Sequence, residues 1–169
     1  MCGIVGYLGT KSAKGVILKG LKRLEYRGYD SAGISTMHSD KIEVSKIKGK
    51  VEDLISSISD DTHQGRIGIG HTRWATHGRP NLINAHPHID NSEKFTLVHN
   101  GIIENYNTLK VLLLENGITC KTDTDTEVLV QFIGYLYKKE KLDFVTTIRM
   151  ALKEVIGAYG IVVMCEDEP

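Results

Sequence analysis

Strand-like and helix-like patterns occur in clusters along this chain and do not alternate strictly. Apolar or alternating runs predict strands at 3–8, 33–37, 41–47, 67–70, 95–98 and 161–165. Helical spacing of apolar residues predicts helices between Ser12 and Gly28 and over 53–58, 105–114, 126–138 and 142–155, with Gly117 and Gly157 as stops. A parallel α/β sheet requires strands and helices to alternate, so this order favours an α+β fold.

The charge balance and the cysteine content limit the kinds of partner to expect. The 169 residues include 21 Lys+Arg and 21 Asp+Glu, and this zero net charge argues against binding to nucleic acid or an acidic membrane. No run approaches the roughly 20 apolar residues of a transmembrane helix. Three cysteines do not suit a disulfide framework. We therefore expect a cytoplasmic protein that contacts neither nucleic acid nor membrane.

Residues 71–91 lack any periodicity, and a segment of this length inside a domain is usually functional or disordered. Its composition favours a functional segment, because it contains Trp74 and four of the seven histidines, which are His71, His77, His86 and His88. No H-E-x-x-H motif or cysteine pair accompanies these histidines, so hydrogen bonding in an ordered loop is favoured over zinc. No phosphate-binding glycine motif occurs either. We expect no metal and no cofactor.

Cys2 follows the initiator methionine directly. Its side chain is small, so removal of Met1 is expected, and one residue would then carry both a thiol and a free α-amine. The ordinary pKa values of these groups, near 8.5 and about 7.7–8.0, allow the amine to accept the thiol proton. This is the N-terminal nucleophile arrangement. A cysteine placed there by chance is the alternative, but the strand that starts at Gly3 favours a fixed, functional position.

Two further pairs of residues have both a structural and a functional interpretation. Asn100-Gly101 is a common type I′ turn dipeptide, yet no matching strand follows it directly, which favours donors for an oxyanion. Arg73 and Asp125 have side chains that can bind the carboxylate and the ammonium of a free amino acid. Alternatively, Arg73 forms a surface ion pair, and Asp125 belongs to a helix N-cap region, a role compatible with binding.

Six segments in this order resemble the class II glutamine amidotransferases, which are N-terminal nucleophile hydrolases. The segments are 2–6, 24–33, 71–78, 84–88, 98–105 and 124–127. The resemblance implies a four-layer αββα sandwich in which residues 1–169 form a glutaminase domain that is truncated at its C-terminal end. Within this class, 27–30, 74–78 and 84–88 are similar to the branch that transfers ammonia to fructose 6-phosphate.

The resemblance also implies a role for each site residue. Cys2 would be the nucleophile and its α-amine the base, while Asn100 and Gly101 would form the oxyanion hole. The substrate-binding residues would be Arg73, Thr76 and His77 for the α-carboxylate, Asp125 for the α-ammonium, and Trp74 in a loop that closes over L-glutamine. Arg27 would be an auxiliary residue near the nucleophile.

The same resemblance implies partners beyond this chain. Fructose 6-phosphate would bind only to sugar-isomerase domains, which we expect outside these 169 residues, in a homo-oligomer. Two alternatives remain open. One is the glutaminase domain of a class II amidotransferase with another ammonia acceptor, and the other is a catalytically silent fragment that binds an amino acid.

Overall fold

The computed structural model describes residues 2–28, 30–74 and 79–168. Seven strands lie in these ranges: β1 Gly3–Leu8, β2 Ser31–His38, β3 Lys41–Lys48, β4 Ile67–Arg73, β5 His88–Ile89, β6 Phe95–Ile103 and β7 Gly157–Cys165. The same ranges contain five α-helices: α1 Ala13–Leu24, α2 Val51–Ser57, α3 Tyr106–Glu115, α4 Asp125–Glu140 and α5 Phe144–Glu154. None of the helices in these ranges is long and apolar enough to cross a bilayer.

The strands form two antiparallel sheets that face each other. One sheet has the order β1-β4-β2-β3, and the other has the order β5-β6-β7. Ile69, Val98 and Met164 form a small apolar cluster from strands of both sheets. Helices α1 and α2 cover the outer face of the first sheet, and α3, α4 and α5 cover the second. The result is a four-layer helix–sheet–sheet–helix arrangement, which confirms the expected α+β class.

The helices follow from apolar spacing and from capping residues. Ala13, Ile17 and Leu21 lie four residues apart on α1, and all three are fully buried against the first sheet. The helix ends at Leu24 and continues as a short 3₁₀ turn, Glu25–Arg27, before the chain becomes extended at Gly28. At the start of α4, the Thr124 hydroxyl accepts a hydrogen bond from the Glu127 amide, as an N-cap residue does.

Strand β6 is longer than its sequence pattern indicated. It continues through His99, Asn100 and Gly101 to Ile103, so Asn100-Gly101 lies inside a strand and forms no turn. The partner is β7, whose Tyr159 lies opposite Gly101. Gly101 has φ +134, and a Cβ there would lie 2.2 Å from the Ala158 carbonyl oxygen, so the position requires glycine.

The aperiodic segment 71–91 also contains regular structure at both ends. Strand β4 continues to Arg73, and the two-residue strand β5 pairs with β6.

Gly157, expected to stop a helix, instead begins β7, because α5 already ends at Glu154. These extensions depend on pairing with strands that are distant in sequence, which local periodicity does not report.

Candidate active site

Cys2 lies at the start of β1, beside the end of β4. The Trp74 amide donates a hydrogen bond to Cys2 Sγ at 3.3 Å, and Sγ lies 3.5 Å from the Trp74 carbonyl oxygen. The next residue is also fixed, since the Gly3 amide donates to Thr72 Oγ1 at 3.2 Å. The half-buried thiol is therefore placed by sheet pairing and does not lie on a loose terminus.

Asn100 brings the second sheet to Cys2. Its side-chain Nδ2 donates to the Cys2 carbonyl oxygen at 3.1 Å. Asn100 is half-buried and the following Gly101 is exposed, so the end of β6 is open to a ligand near Cys2. Three residues that are far apart in sequence, Cys2, Trp74 and Asn100, meet here.

Arg73 and Asp125 are opposite charges that are almost completely buried, at 3% and 4% exposure. Arg73 is the last residue of β4, and its Nη1 donates to the Arg79 carbonyl oxygen at 3.4 Å. Asp125 is the first residue of α4, and its Oδ2 accepts from the Ile103 amide at 3.0 Å. Buried charges are stable only when neighbouring groups or a ligand compensate them. Asp125 also lies at a helix N-terminus, which favours a carboxylate.

Gly28 supports the segment that carries Arg73 and Trp74. A Cβ at Gly28 would lie 2.9 Å from the Arg73 carbonyl carbon and 3.1 Å from the Trp74 nitrogen. The Asp30 amide donates to the Arg73 carbonyl oxygen at 3.1 Å. Arg27 immediately precedes this contact. Its side chain lies outside the described part of the structure, and so do Thr76 and His77, two predicted substrate-binding residues.

Four buried histidines lie beside these groups. We call His71, His86, His88 and His99 the histidine cluster. The rings of His71 and His86 are stacked with centroids 4.3 Å apart, and the His86 and His88 rings meet edge to face at 4.7 Å. The hydroxyl of Thr126 binds both His86 Nε2 at 2.8 Å and His99 Nδ1 at 2.9 Å.

Three members of the histidine cluster, His71, His86 and His88, are electrically neutral near pH 7. Burial lowers the pKa of His71 to about 4, and it lowers the pKa values of His86 and His88 well below the ordinary range. The positive charge of Arg73 acts in the same direction on all three rings. Within 2–28, 30–74 and 79–168, no group of three His, Cys, Asp or Glu side chains is arranged to hold a metal ion.

Sequence reasoning assigned no site role to His71 or His99. His71 is two residues before Arg73 on β4, and the period-2 alternation of a strand places both on the same face. His99 directly precedes Asn100. The two-residue spacing of His71 and Arg73 could therefore have indicated that His71 lies on the same face as Arg73. This inference requires that β4 continues to Arg73, which the sequence pattern did not predict.

Comparison with known proteins indicates the family of this chain. Residues 43–144 match the glutamine amidotransferase domain family. Over the whole chain, a glutamine–fructose-6-phosphate aminotransferase (isomerizing) from Bacteroides thetaiotaomicron is 51% identical, and one from Pyrococcus horikoshii is 50% identical. The chain covers only 28% of the length of either relative.

Solved structures show the same architecture. A glutamine phosphoribosylpyrophosphate amidotransferase from B. subtilis, complexed with ADP and GMP, superposes with a TM-score of 0.84 at 27% identity, over 98% of this chain and 35% of that one. A glutamine aminotransferase class-II domain protein from Silicibacter pomeroyi has a TM-score of 0.58 at 11% identity, covers 98% of this chain and 73% of that one, and supports the fold alone. These similarities confirm the expected N-terminal nucleophile fold. From the family match, the full-length sequence similarity and the common fold, we conclude that this chain belongs to the glutamine amidotransferase domain family.

Proposed function

We propose that this chain hydrolyses the side-chain amide of L-glutamine, with Cys2 as the nucleophile. The observation that supports this best is the position of Cys2 Sγ, 3.3 Å from the Trp74 amide, with Asn100 Nδ2 bound to the carbonyl of the same cysteine. A thiol placed by two sheets next to an amide donor is suited to acyl transfer.

The reaction has two steps. The Cys2 thiolate attacks the amide carbon of glutamine, and the resulting oxyanion is stabilised by Asn100 Nδ2 and the Gly101 amide. The C–N bond then breaks, ammonia leaves with a proton, and a γ-glutamyl thioester remains. Water attacks this thioester, which releases glutamate and restores the thiol. After removal of Met1, the α-amine of Cys2 accepts and returns the proton.

Glutamine is recognised through its zwitterionic end. Arg73 binds the α-carboxylate, aided by Thr76 and His77, and Asp125 binds the α-ammonium. The two side chains carry opposite charges at the ends of β4 and α4, and their charges complement those of a zwitterion, which supports this assignment. Trp74, which is half exposed beside Cys2, closes over the bound substrate, and Arg27 assists near the nucleophile.

In the natural full-length protein, the ammonia is transferred to fructose 6-phosphate to give glucosamine 6-phosphate. The names of the relatives support this acceptor, and the 28% share of their length leaves room for the sugar-isomerase domains that would bind it. We further propose that this protein is cytoplasmic and homo-oligomeric. Transfer to phosphoribosyl pyrophosphate is the competing activity, because the B. subtilis structure has the same fold at 27% identity.

Glutamate release from glutamine tests the proposed chemistry. Cys2→Ala should abolish release, while Cys120→Ala, which alters a half-buried thiol elsewhere in the chain, should retain it. Full activity of Cys2→Ala would show that the nucleophile is wrong. Inactivity of the unmodified protein would favour the catalytically silent alternative. Incubation with fructose 6-phosphate or phosphoribosyl pyrophosphate in parallel identifies the acceptor.

A further inference from the structure

We propose that His71 is a positioning residue that fixes the orientation of the Asn100 side-chain amide and so presents its Nδ2–H to the reacting carbonyl. This inference rests on the proposed glutaminase function. It concerns a buried histidine of β4 that has no part in the bond-making steps described above.

The contacts of His71 determine which ring nitrogen carries the proton. Nε2 lies 3.0 Å from Asn100 Oδ1 and 3.1 Å from the carbonyl oxygen of His99. Both neighbours are acceptors, so Nε2 must be the donor. Nδ1 has no hydrogen-bond partner in the described ranges, and it therefore carries a lone pair and no proton. Burial lowers the pKa of His71 to about 4, which keeps this single tautomer neutral.

The Asn100 amide then has one favourable orientation. Its oxygen accepts from His71, and its nitrogen donates to the Cys2 carbonyl at 3.1 Å. A half-turn of the amide would place its NH₂ against the Nε2–H of His71 and its oxygen against the Cys2 carbonyl, so both contacts would become repulsive. In the observed orientation, one N–H of the amide binds Cys2, and the second is available to an oxyanion.

The His71 ring is itself immobilised. Strand β4 is paired on both sides, with His71 opposite Ile4 of β1 and Gly33 of β2. The imidazole stacks on His86 at an interplanar angle of 20°, and His86 is bonded to Thr126 of α4. The donor that orients Asn100 is therefore held by two neighbouring strands of the first sheet and, through His86, by α4. A group fixed in this way before the reaction loses little entropy in the transition state.

Two substitutions distinguish the effect of a hydrogen-bond donor at this position from the effect of side-chain volume. His71→Leu removes the donor, and His71→Gln replaces it with an amide nitrogen that reaches the same position as Nε2. In the natural full-length protein, His71→Leu should lower kcat for glutamate release about tenfold to 10²-fold with KM nearly unchanged. His71→Gln should recover most of the activity. If the leucine variant does not fold, His71→Asn, whose shorter side chain reaches only the position of Nδ1, should be slow while His71→Gln is fast.

Binding of an aldehyde provides a readout that general destabilisation would not reproduce. L-Glutamate γ-semialdehyde adds to Cys2 when the thiol gives its proton to the α-amine: a C–S bond forms, the C=O π bond breaks, and the carbonyl oxygen becomes an oxyanion. His71→Leu should weaken this adduct about tenfold to 10²-fold but leave the affinity for L-glutamate unchanged. His63→Leu is the matched control, because His63 is equally buried but bonds Thr36 of β2 and Ser45 of β3.

The outcomes distinguish this inference from the proposed function. An active wild-type protein whose kcat and aldehyde affinity are unaffected by His71→Leu would overturn the positioning role alone. Equal weakening of aldehyde and L-glutamate binding would also overturn it, since His71 would then act on substrate binding or on folding. A wild-type protein that releases no glutamate would overturn the proposed function, and this inference with it.

Discussion

Arg73 and Asp125 illustrate what single residues contribute to this site. Both charges are nearly excluded from water, and each ends or begins an element, so the fold fixes their positions. Arginine differs from lysine here, because its planar guanidinium can bind both oxygens of a carboxylate at once. A substitution that keeps the charge but loses this geometry therefore isolates the contribution of the two parallel hydrogen bonds.

Arg73→Lys should raise KM for glutamine about tenfold or more while kcat changes little. One hydrogen bond between charged groups contributes roughly 1.5–3 kcal/mol, and the lysine retains only a single point contact. Steady-state glutamate release over a range of glutamine concentrations measures this. Arg79→Lys is the control, because the Arg79 side chain is exposed and the substitution keeps the backbone carbonyl to which Arg73 donates. An unchanged KM in Arg73→Lys would remove Arg73 from the substrate site.

The sequence shows which residue types are present but not which residues are in contact, so it indicated only part of the proposed site. Cys2, Asn100, Arg73 and Asp125 could be proposed from the sequence because the chemistry of each side chain suits the amide or the zwitterionic end of glutamine. His71 could not, because its importance lies in which atom of Asn100 it contacts, 29 residues away in sequence. A hydrogen bond between two strands of different sheets leaves no local pattern.

At the level of elements, the sequence patterns predicted six of the seven strands and all five α-helices in the described ranges, but they missed β5 and misplaced several ends. Strand β6 contains His99, Asn100 and Gly101 in a ladder with β7, although polar residues and a glycine are poor strand formers alone. Pairing with a distant strand outweighs that weak local preference. The same effect extends β4 to Arg73, and the following residue, Trp74, contacts Cys2.

Gly28→Ala should disturb the end of β4 and lower activity. The added Cβ would lie 2.9 Å from the Arg73 carbonyl carbon, which is closer than real Cβ contacts, so the backbone of Arg73 and Trp74 must move. A displacement of about 1 Å can reduce kcat/KM roughly 10²-fold. Glutamate release and thermal unfolding should both be measured.

Gly15→Ala is the matched control for this substitution. It lies in α1, and a Cβ there meets nothing within 4 Å. It should retain activity and stabilise the helix by about 0.5–1 kcal/mol. If Gly28→Ala is as active as Gly15→Ala, the close contact with Arg73 does not position the site.

For the whole molecule, the histidine cluster should make folding sensitive to acid. His71 titrates at about 4 in the folded protein and near its ordinary 6.5 when unfolded, so the unfolded chain binds more protons between these values. Stability is therefore complete above about pH 6.5 and falls as the pH decreases towards 4. The difference between the two pKa values corresponds to roughly 3 kcal/mol for His71 alone, and His86 and His88 act in the same direction.

Urea unfolding at pH 7 and pH 4.5 measures this dependence. The wild-type protein should lose several kcal/mol of unfolding free energy, and His71→Gln, which cannot titrate, should lose less. His38→Gln is the control, because His38 is exposed at the end of β2 and its removal should leave the slope unchanged. Equal unfolding free energies of the wild-type protein at the two pH values would contradict the assignment of a buried, neutral cluster.

The hydrogen bond from Asn100 to the Cys2 carbonyl joins the two halves of the sandwich at the residue proposed as the nucleophile. The nucleophile belongs to the sheet covered by α1 and α2, and the amide donor belongs to the sheet covered by α3, α4 and α5. Either half could form correctly and still be unable to cleave glutamine. The proposed catalysis therefore requires that the two sheets dock correctly. The rate of glutamate release then reports the fraction of molecules in which they have docked.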